Sequence, residues 1–136
     1  MKLELWIMEN DKKKIKSFTD LDTWKEAHKL VLEVYGVSKT FPKDEQFGLT
    51  NQLRRAVVSV TSNIAEGFSS NSYRDKGHFY SMAIGSLTEV QNQLLIARDV
   101  FYISQETFTN VANKTIIVSK LLNGLIKSSK RKSHDS

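Results

Sequence analysis

Histidines, carboxylates, serines and glycines are the residues through which this chain could do chemistry, and their spacing argues against most of it. His28, His78 and His134 lie far apart, with no partner at i, i+4. A zinc or di-iron site needs several converging ligands, and di-iron bundles supply Glu-x-x-His motifs from facing helices. No such motif occurs, and no cysteine is present to form a thiolate site or a disulfide. The six glycines are isolated residues, so no loop is rich enough in glycine to cradle a phosphate. The serines lack a Gly-x-Ser-x-Gly elbow. Glu66 and Glu89 are a conceivable carboxylate pair, but acid–base work needs a pocket and displaced pKa values that nothing in the sequence promises. The expectation is a protein without catalysis, metal or cofactor.

The basic residues are the remaining chemistry. The formal charge is +5, and residues 1–18 contribute +2 of it, residues 127–136 contribute +3, and residues 19–126 are neutral. Basicity concentrated at the two ends suits short electrostatic arms better than a long basic groove. The candidate phosphate contacts are Lys130, Arg131 and Lys132 near the C-terminus, Lys39, Lys43, Arg74 and Lys76 around the turns, and Arg55. Arg54 and Arg55 differ by about 100° on a helical wheel. Arg54 therefore flanks the apolar side and is expected to bridge to an acidic group on an adjacent helix. Arg55 points away from it, where a guanidinium suits either a phosphate or a carboxylate on another subunit.

Those residues must be positioned by helices. Pro42 is the single proline, and long stretches are free of breakers. A first helix is expected from Asp20 to Thr40, capped by Thr19 or Asp20, with Leu21, Trp24, Ala27, Val31, Val34 and Tyr35 inward. Phe41-Pro42 ends it. A second helix presents Leu49, Leu53, Ala56, Val57, Val60 and Ile64 to the core and is expected to stop at Gly67 in a left-handed cap. A third runs from Tyr73 to Tyr102 behind a Ser72 cap, with Phe79, Ala83, Leu87, Val90, Leu94, Ala97 and Phe101 inward. Ser104 caps a fourth, whose apolar side includes Phe108, Val111, Val118, Leu122 and Leu125. Helices with short links favour an all-α, up-down antiparallel four-helix bundle. The expected divisions are an N-terminal arm and basic linker over 1–19, the bundle over 20–128, and a less ordered basic tail over 129–136. In Leu3 to Met8, Leu3, Leu5 and Ile7 alternate with Glu4, Trp6 and Met8, which reads as a strand or extended arm.

The backs of the second and third helices carry small residues where long charged ones would be usual. Ser59, Ser62 and Glu66 occupy one, and Ser81, Gly85 and Thr88 the other. A mid-helix glycine costs about 1 kcal/mol against alanine, and close approach of another chain is a reason to keep it. Glu66 faces the negative end of its own helix dipole. It needs a basic group or amide donor from elsewhere, or it is an indifferent surface residue; Arg55, about 16 Å back along the helix, is too far to serve.

The stretch Phe47-Gly-Leu-Thr-Asn-Gln-Leu-Arg-Arg-Ala56, continued by Ser62-Asn-Ile-Ala-Glu-Gly67, resembles the signature of the small bacterial four-helix bundle proteins often encoded in intervening sequences of 23S ribosomal RNA genes. Asp22 to His28 resembles that family's first helix, Ser81 to Ala97 its third and Leu122 to Lys127 its last. The resemblance implies a homopentameric bundle without established catalysis. It also implies kinship of fold with the accessory variability determinant of diversity-generating retroelements, which binds a reverse transcriptase and nucleic acid. Two departures bear on shape. Val60-Thr61 stands where the family usually has proline, so the second helix should be straighter. Val100-Phe101-Tyr102 stands where it tends to have Leu-Gly-Tyr, so the third helix lacks its glycine cap.

Two functions compete. One is an oligomeric scaffold that binds RNA, DNA or a nucleic-acid enzyme such as a reverse transcriptase. The alternative is a protein–protein interaction module with no nucleic-acid binding. No apolar run approaches the roughly 20 residues that span a membrane, and the N-terminus does not read as a secretory signal. A cytoplasmic location is expected.

Overall fold

The computed structural model describes Lys2 and residues 15–135. The expected arm at Leu3 to Met8 lies outside those residues. Among the described residues four long helices make the fold: α1 Asp22–Ser38, α2 Leu49–Ser69, α3 Tyr73–Asp99 and α4 Gln105–Asp135. Each packs on its neighbour in sequence, and α1 closes the bundle against α4. Cross-helix pairs fix the directions. Ser59 meets Ser86 at 2.8 Å between α2 and α3, and Gln91 donates to Thr115 at 3.0 Å between α3 and α4. Gly77 lies against Ser129, so residue numbers rise on α3 as they fall on α4. The described residues are all-α, with no strand among them.

Helical spacing of apolar residues builds one core. Ala27, Leu30 and Val34 enter it from α1, and Leu53, Val57, Val60 and Ile64 from α2. Leu87, Val90 and Leu94 come from α3, with Val111, Val118 and Leu122 from α4. The inward side of α1 is rotated from expectation: Leu30 is buried, whereas Trp24 is half-buried and Tyr35 exposed. Trp24 stacks on His28 instead, at 4.6 Å between ring centroids.

Three helix ends differ from the sequence reading, each for a local reason. Neither Thr19 nor Asp20 caps α1. Ser17 caps a short 3-10 turn, Phe18–Asp20, and the Asp20 carboxylate answers by accepting from the Ser17 amide at 3.0 Å. α2 does not stop at Gly67 but continues to Ser69, and Gly67 has no positive φ. It is glycine because α3 comes too close for anything else: a Cβ there would sit 2.6 Å from Tyr80 Cε1. The end of α3 comes at Asp99, and Phe101 takes the missing glycine's place with φ 67. The Tyr102 amide then reaches the Ala97 carbonyl at 2.8 Å and the Phe101 amide the Arg98 carbonyl at 3.0 Å, the two bonds of a Schellman cap. Phe101 is thereby turned out of the core, 91 % exposed.

The caps at Ser72 and Ser104 form as expected, accepting from the amides of Asp75 and Thr107, both at 3.1 Å. At the C-terminal end the expected break at 128 is absent. α4 runs on to Asp135, and Ser129 is buried against Gly77. The basic residues 130–132 are therefore helical, held on the bundle rather than in a separate tail.

Candidate nucleic-acid interface

The antiparallel register brings the start of α3 beside the end of α4. Tyr73, Gly77 and Ser81 recur at helical spacing on α3, facing Ile126, Ser129, Lys130 and Ser133 on α4. A Cβ added at Gly77 would meet the Ser129 Cβ at 3.5 Å, an ordinary contact, so the two helices lie side by side at that level without requiring the glycine. Towards the helix ends they leave a crevice of about 270 Å³. Arg74, His78, Lys130 and His134 line it. Lys132, which is not part of the lining, places its ammonium 5.2 Å from the Tyr73 ring centroid in a cation–π contact. Arg74 and Lys130 make no hydrogen bond or ion pair among the described residues, so their donors remain for a ligand. The N-terminal end of the α3 dipole adds positive potential, partly offset by Asp75 in its first turn.

Lys76 plays a different part. Its ammonium donates to the Phe68 carbonyl and, at 3.3 Å, to that of Gly67, and it lies over the Phe68 ring. It closes the C-terminus of α2, whose exposed carbonyls attract a cation. Burial first, and then the charge of Lys132, lower its pKa below the ordinary 10.5. Lys76 is thus committed within the fold, and the expectation of a phosphate contact there is corrected.

The remaining basic candidates do not join this cluster. Lys39 and Lys43 are exposed at the opposite end, after α1 and before α2. Arg55 projects from the middle of α2. Arg131 is exposed on α4 outside the crevice lining. Arg54 does not meet a carboxylate. Its Nε donates to Ser38 Oγ at 2.8 Å, and its guanidinium lies 4.8 Å from the Tyr35 ring centroid. The cation closes the last turn of α1, where the dipole is negative, and the missing carboxylate is explained by that carbonyl-rich end.

Of the small residues, Ser59 is used inside the chain, bonded to Ser86 and accepting from the Asn63 side chain at 3.2 Å. Ser62, Glu66, Ser81, Gly85 and Thr88 are exposed. The Glu66 side chain has no hydrogen bond or ion pair among the described residues. Around Gly85, as around Gly36 and Gly124, an added Cβ would meet nothing within 4 Å, so no packing among the described residues requires the glycine.

The sequence reading missed Tyr73, His78, Ser129 and His134 as parts of the basic crevice. Tyr73 and His78 are five apart on α3 and carry no motif. They become neighbours of Lys130 only once α4 is known to extend past Ser128. The signal was the lack of any glycine or proline to stop the helix between Leu125 and Lys132.

A sequence model of the family described as 23S rRNA-intervening sequence protein matches residues 19–124, most of the bundle. The chain belongs to that family. The 23S rRNA-intervening sequence protein fold is also seen in a crystal structure of a protein of unknown function from the S23 ribosomal protein family of Bacteroides thetaiotaomicron VPI-5482. That structure aligns with a TM-score of 0.72 at 21 % identity, over 77 % of this chain and 98 % of that one. At that identity the likeness concerns the fold. No curated protein matches the sequence. Among the described residues no three His, Cys, Asp or Glu converge as a metal site, and no helix is long and apolar enough to cross a membrane.

Proposed function

We propose that this member of the 23S rRNA-intervening sequence protein family is a non-catalytic scaffold that binds the phosphate backbone of RNA or single-stranded DNA at the α3–α4 end. The supporting observation is that Arg74 and Lys130 line one crevice together with Tyr73, whose ring Lys132 also approaches. Unpaired cations gain from phosphate neutralisation and counterion release. A tyrosine beside them offers a stacking face for an unpaired base. The crevice presents no helix shaped for groove reading, so binding should show little sequence preference. A nucleic-acid enzyme such as a reverse transcriptase would present the same phosphates with its bound strand. The absence of cysteine is consistent with work in a reducing cytoplasm.

Labelled single-stranded RNA titrated at two salt concentrations tests this reading. The double change Arg74→Ala with Lys130→Ala should weaken binding and reduce the slope of log affinity against log salt by about 1.4, the effect of two lost phosphate contacts on a single strand. Lys39→Ala with Lys43→Ala, at the other end, should change it far less. Binding indifferent to salt, or absent at tens of micromolar protein, would favour the protein–protein module instead.

Self-association belongs to the same proposal, as a ring of five on the family resemblance. Gly85 is the feature that favours it: a helix-weakening residue on the small-residue back of α3, kept where nothing among the described residues needs it. Several copies would multiply a modest site by avidity.

A further inference from the structure

A second groove, about 400 Å³ in size, runs between α2 and α3, and it is polar where the first crevice is basic. Gln52, Arg55 and Ser59 line it from α2, and Ser86, Glu89 and Gln93 from α3. The Ser59–Ser86 pair sets the antiparallel register. It places Arg55 across from Glu89, and Gln52 across from Gln93 about 5 Å further along. Arg55 and Glu89 carry opposite charges in one groove, yet neither makes an ion pair or side-chain hydrogen bond among the described residues. Gln93 is only 7 % exposed, and its carboxamide has no hydrogen-bond partner, with Oε1 fully covered. Buried amides are nearly always satisfied, so this one invites an explanation.

We propose that the groove binds a small zwitterion with a polar tail, of the α-amino acid class. A carboxylate would take the guanidinium fork of Arg55, which matches its geometry with two parallel N–H donors. An ammonium would face Glu89 at the same level. A side-chain amide or hydroxyl one helical turn away would lie beside the Gln93 carboxamide where that residue lines the groove, and a small turn of the carboxamide would uncover its oxygen to the ligand. A polyphosphate is disfavoured because Glu89 would repel it, and an apolar ligand would leave the polar lining unmatched. The same reasoning removes Arg55 from the nucleic-acid surface.

The experiment uses the full chain, labelled with ¹⁵N, and L-glutamine as the probe. The Gln93 side-chain amide and the Arg55 Nε–H should shift saturably, with an affinity of about 1–10 mM for a ligand of this size on an open groove. L-leucine, lacking the polar tail, and N-acetyl-L-glutamine amide, lacking the charges, should each bind at least about tenfold more weakly, as expected when a polar partner is left unmet. Arg55→Gln, an exposed change, should abolish the response and leave the rest of the spectrum unaltered. Gln93→Leu should also abolish it and raise the melting temperature, since an unpaired buried amide is replaced by an apolar isostere. The proposal is overturned if L-glutamine gives no saturable shift, or if the shift survives Arg55→Gln. It is equally overturned if Gln93→Leu lowers the melting temperature, which would mean that ordered water satisfies the amide. Loss of assembly in sedimentation as the first effect of Arg55→Gln would identify the groove as a subunit contact and end the proposal.

Discussion

Phe101 holds a left-handed backbone that costs an L-residue roughly 1–2 kcal/mol, and its exposed ring recovers little of that in packing. Phe101→Gly should therefore raise stability by about 0.5–1 kcal/mol, the gain being reduced by the greater freedom of glycine in the unfolded chain. Urea denaturation measures this, and a loss of stability would mean the ring has a partner in the folded protein. A few residues away in space, Tyr102 donates to Glu45 Oε2 at 2.8 Å while the Leu49 amide donates to Oε1 at 3.1 Å. The Leu49 amide first, and Tyr102 second, hold the Glu45 pKa below its ordinary 4.5. The carboxylate is favoured by folding, so its contribution is present above that value and is lost as pH falls through the lowered one. Tyr102 is raised above 10.0 chiefly by the same hydrogen bond, so its contribution is present below pH 10.0 and is lost as pH rises through the raised value. Tyr102→Phe should move the Glu45 titration upward in a carboxyl NMR experiment and flatten stability in the acid window. An unmoved titration would mean that the Leu49 amide alone sets it.

Helix α2 shows which parts of an element are legible in sequence. Its apolar spacing located Leu53, Val57, Val60 and Ile64 in the core correctly, because burial follows a periodicity that is local to the helix. Its end was misjudged because Gly67 serves two readings. A glycine near a helix end usually supplies a left-handed cap, but here it admits Tyr80 of α3, a requirement set by a residue 13 positions away. Gly67→Ala should cost about 1–3 kcal/mol through overpacking, with thermal denaturation as the measure. A neutral result would mean that Tyr80 rotates aside freely. The same distinction explains the candidate sites. Basic residues could be picked out by type, but whether a cation is available depended on tertiary partners. Lys76 and Arg54 are each committed to the carbonyl end of a helix, while Arg74 and Lys130 are not. The Gln93 amide was not legible at all, since its burial depends on how α2 lies on α3.

At the scale of the whole molecule, Gly85 is the position that tests the proposed assembly apart from folding. Gly85→Arg meets open space within the chain, so circular dichroism should report an intact bundle. Sedimentation should report smaller particles. A variant that unfolds, or one that assembles as before, would remove the glycine face as the contact. The two ends of the bundle also differ in kind. Phe47 and Phe101, 87 % and 91 % exposed, stand at the end where α2 begins and α3 finishes. Arg74, Lys130 and Lys132 stand at the other. Cyclic symmetry about the bundle direction would point every copy the same way. A closed ring of this chain would then have one greasy rim and one cationic rim, giving it a top and a bottom. Such a particle could grip a strand on one side only and leave its aromatic rim for a different kind of neighbour.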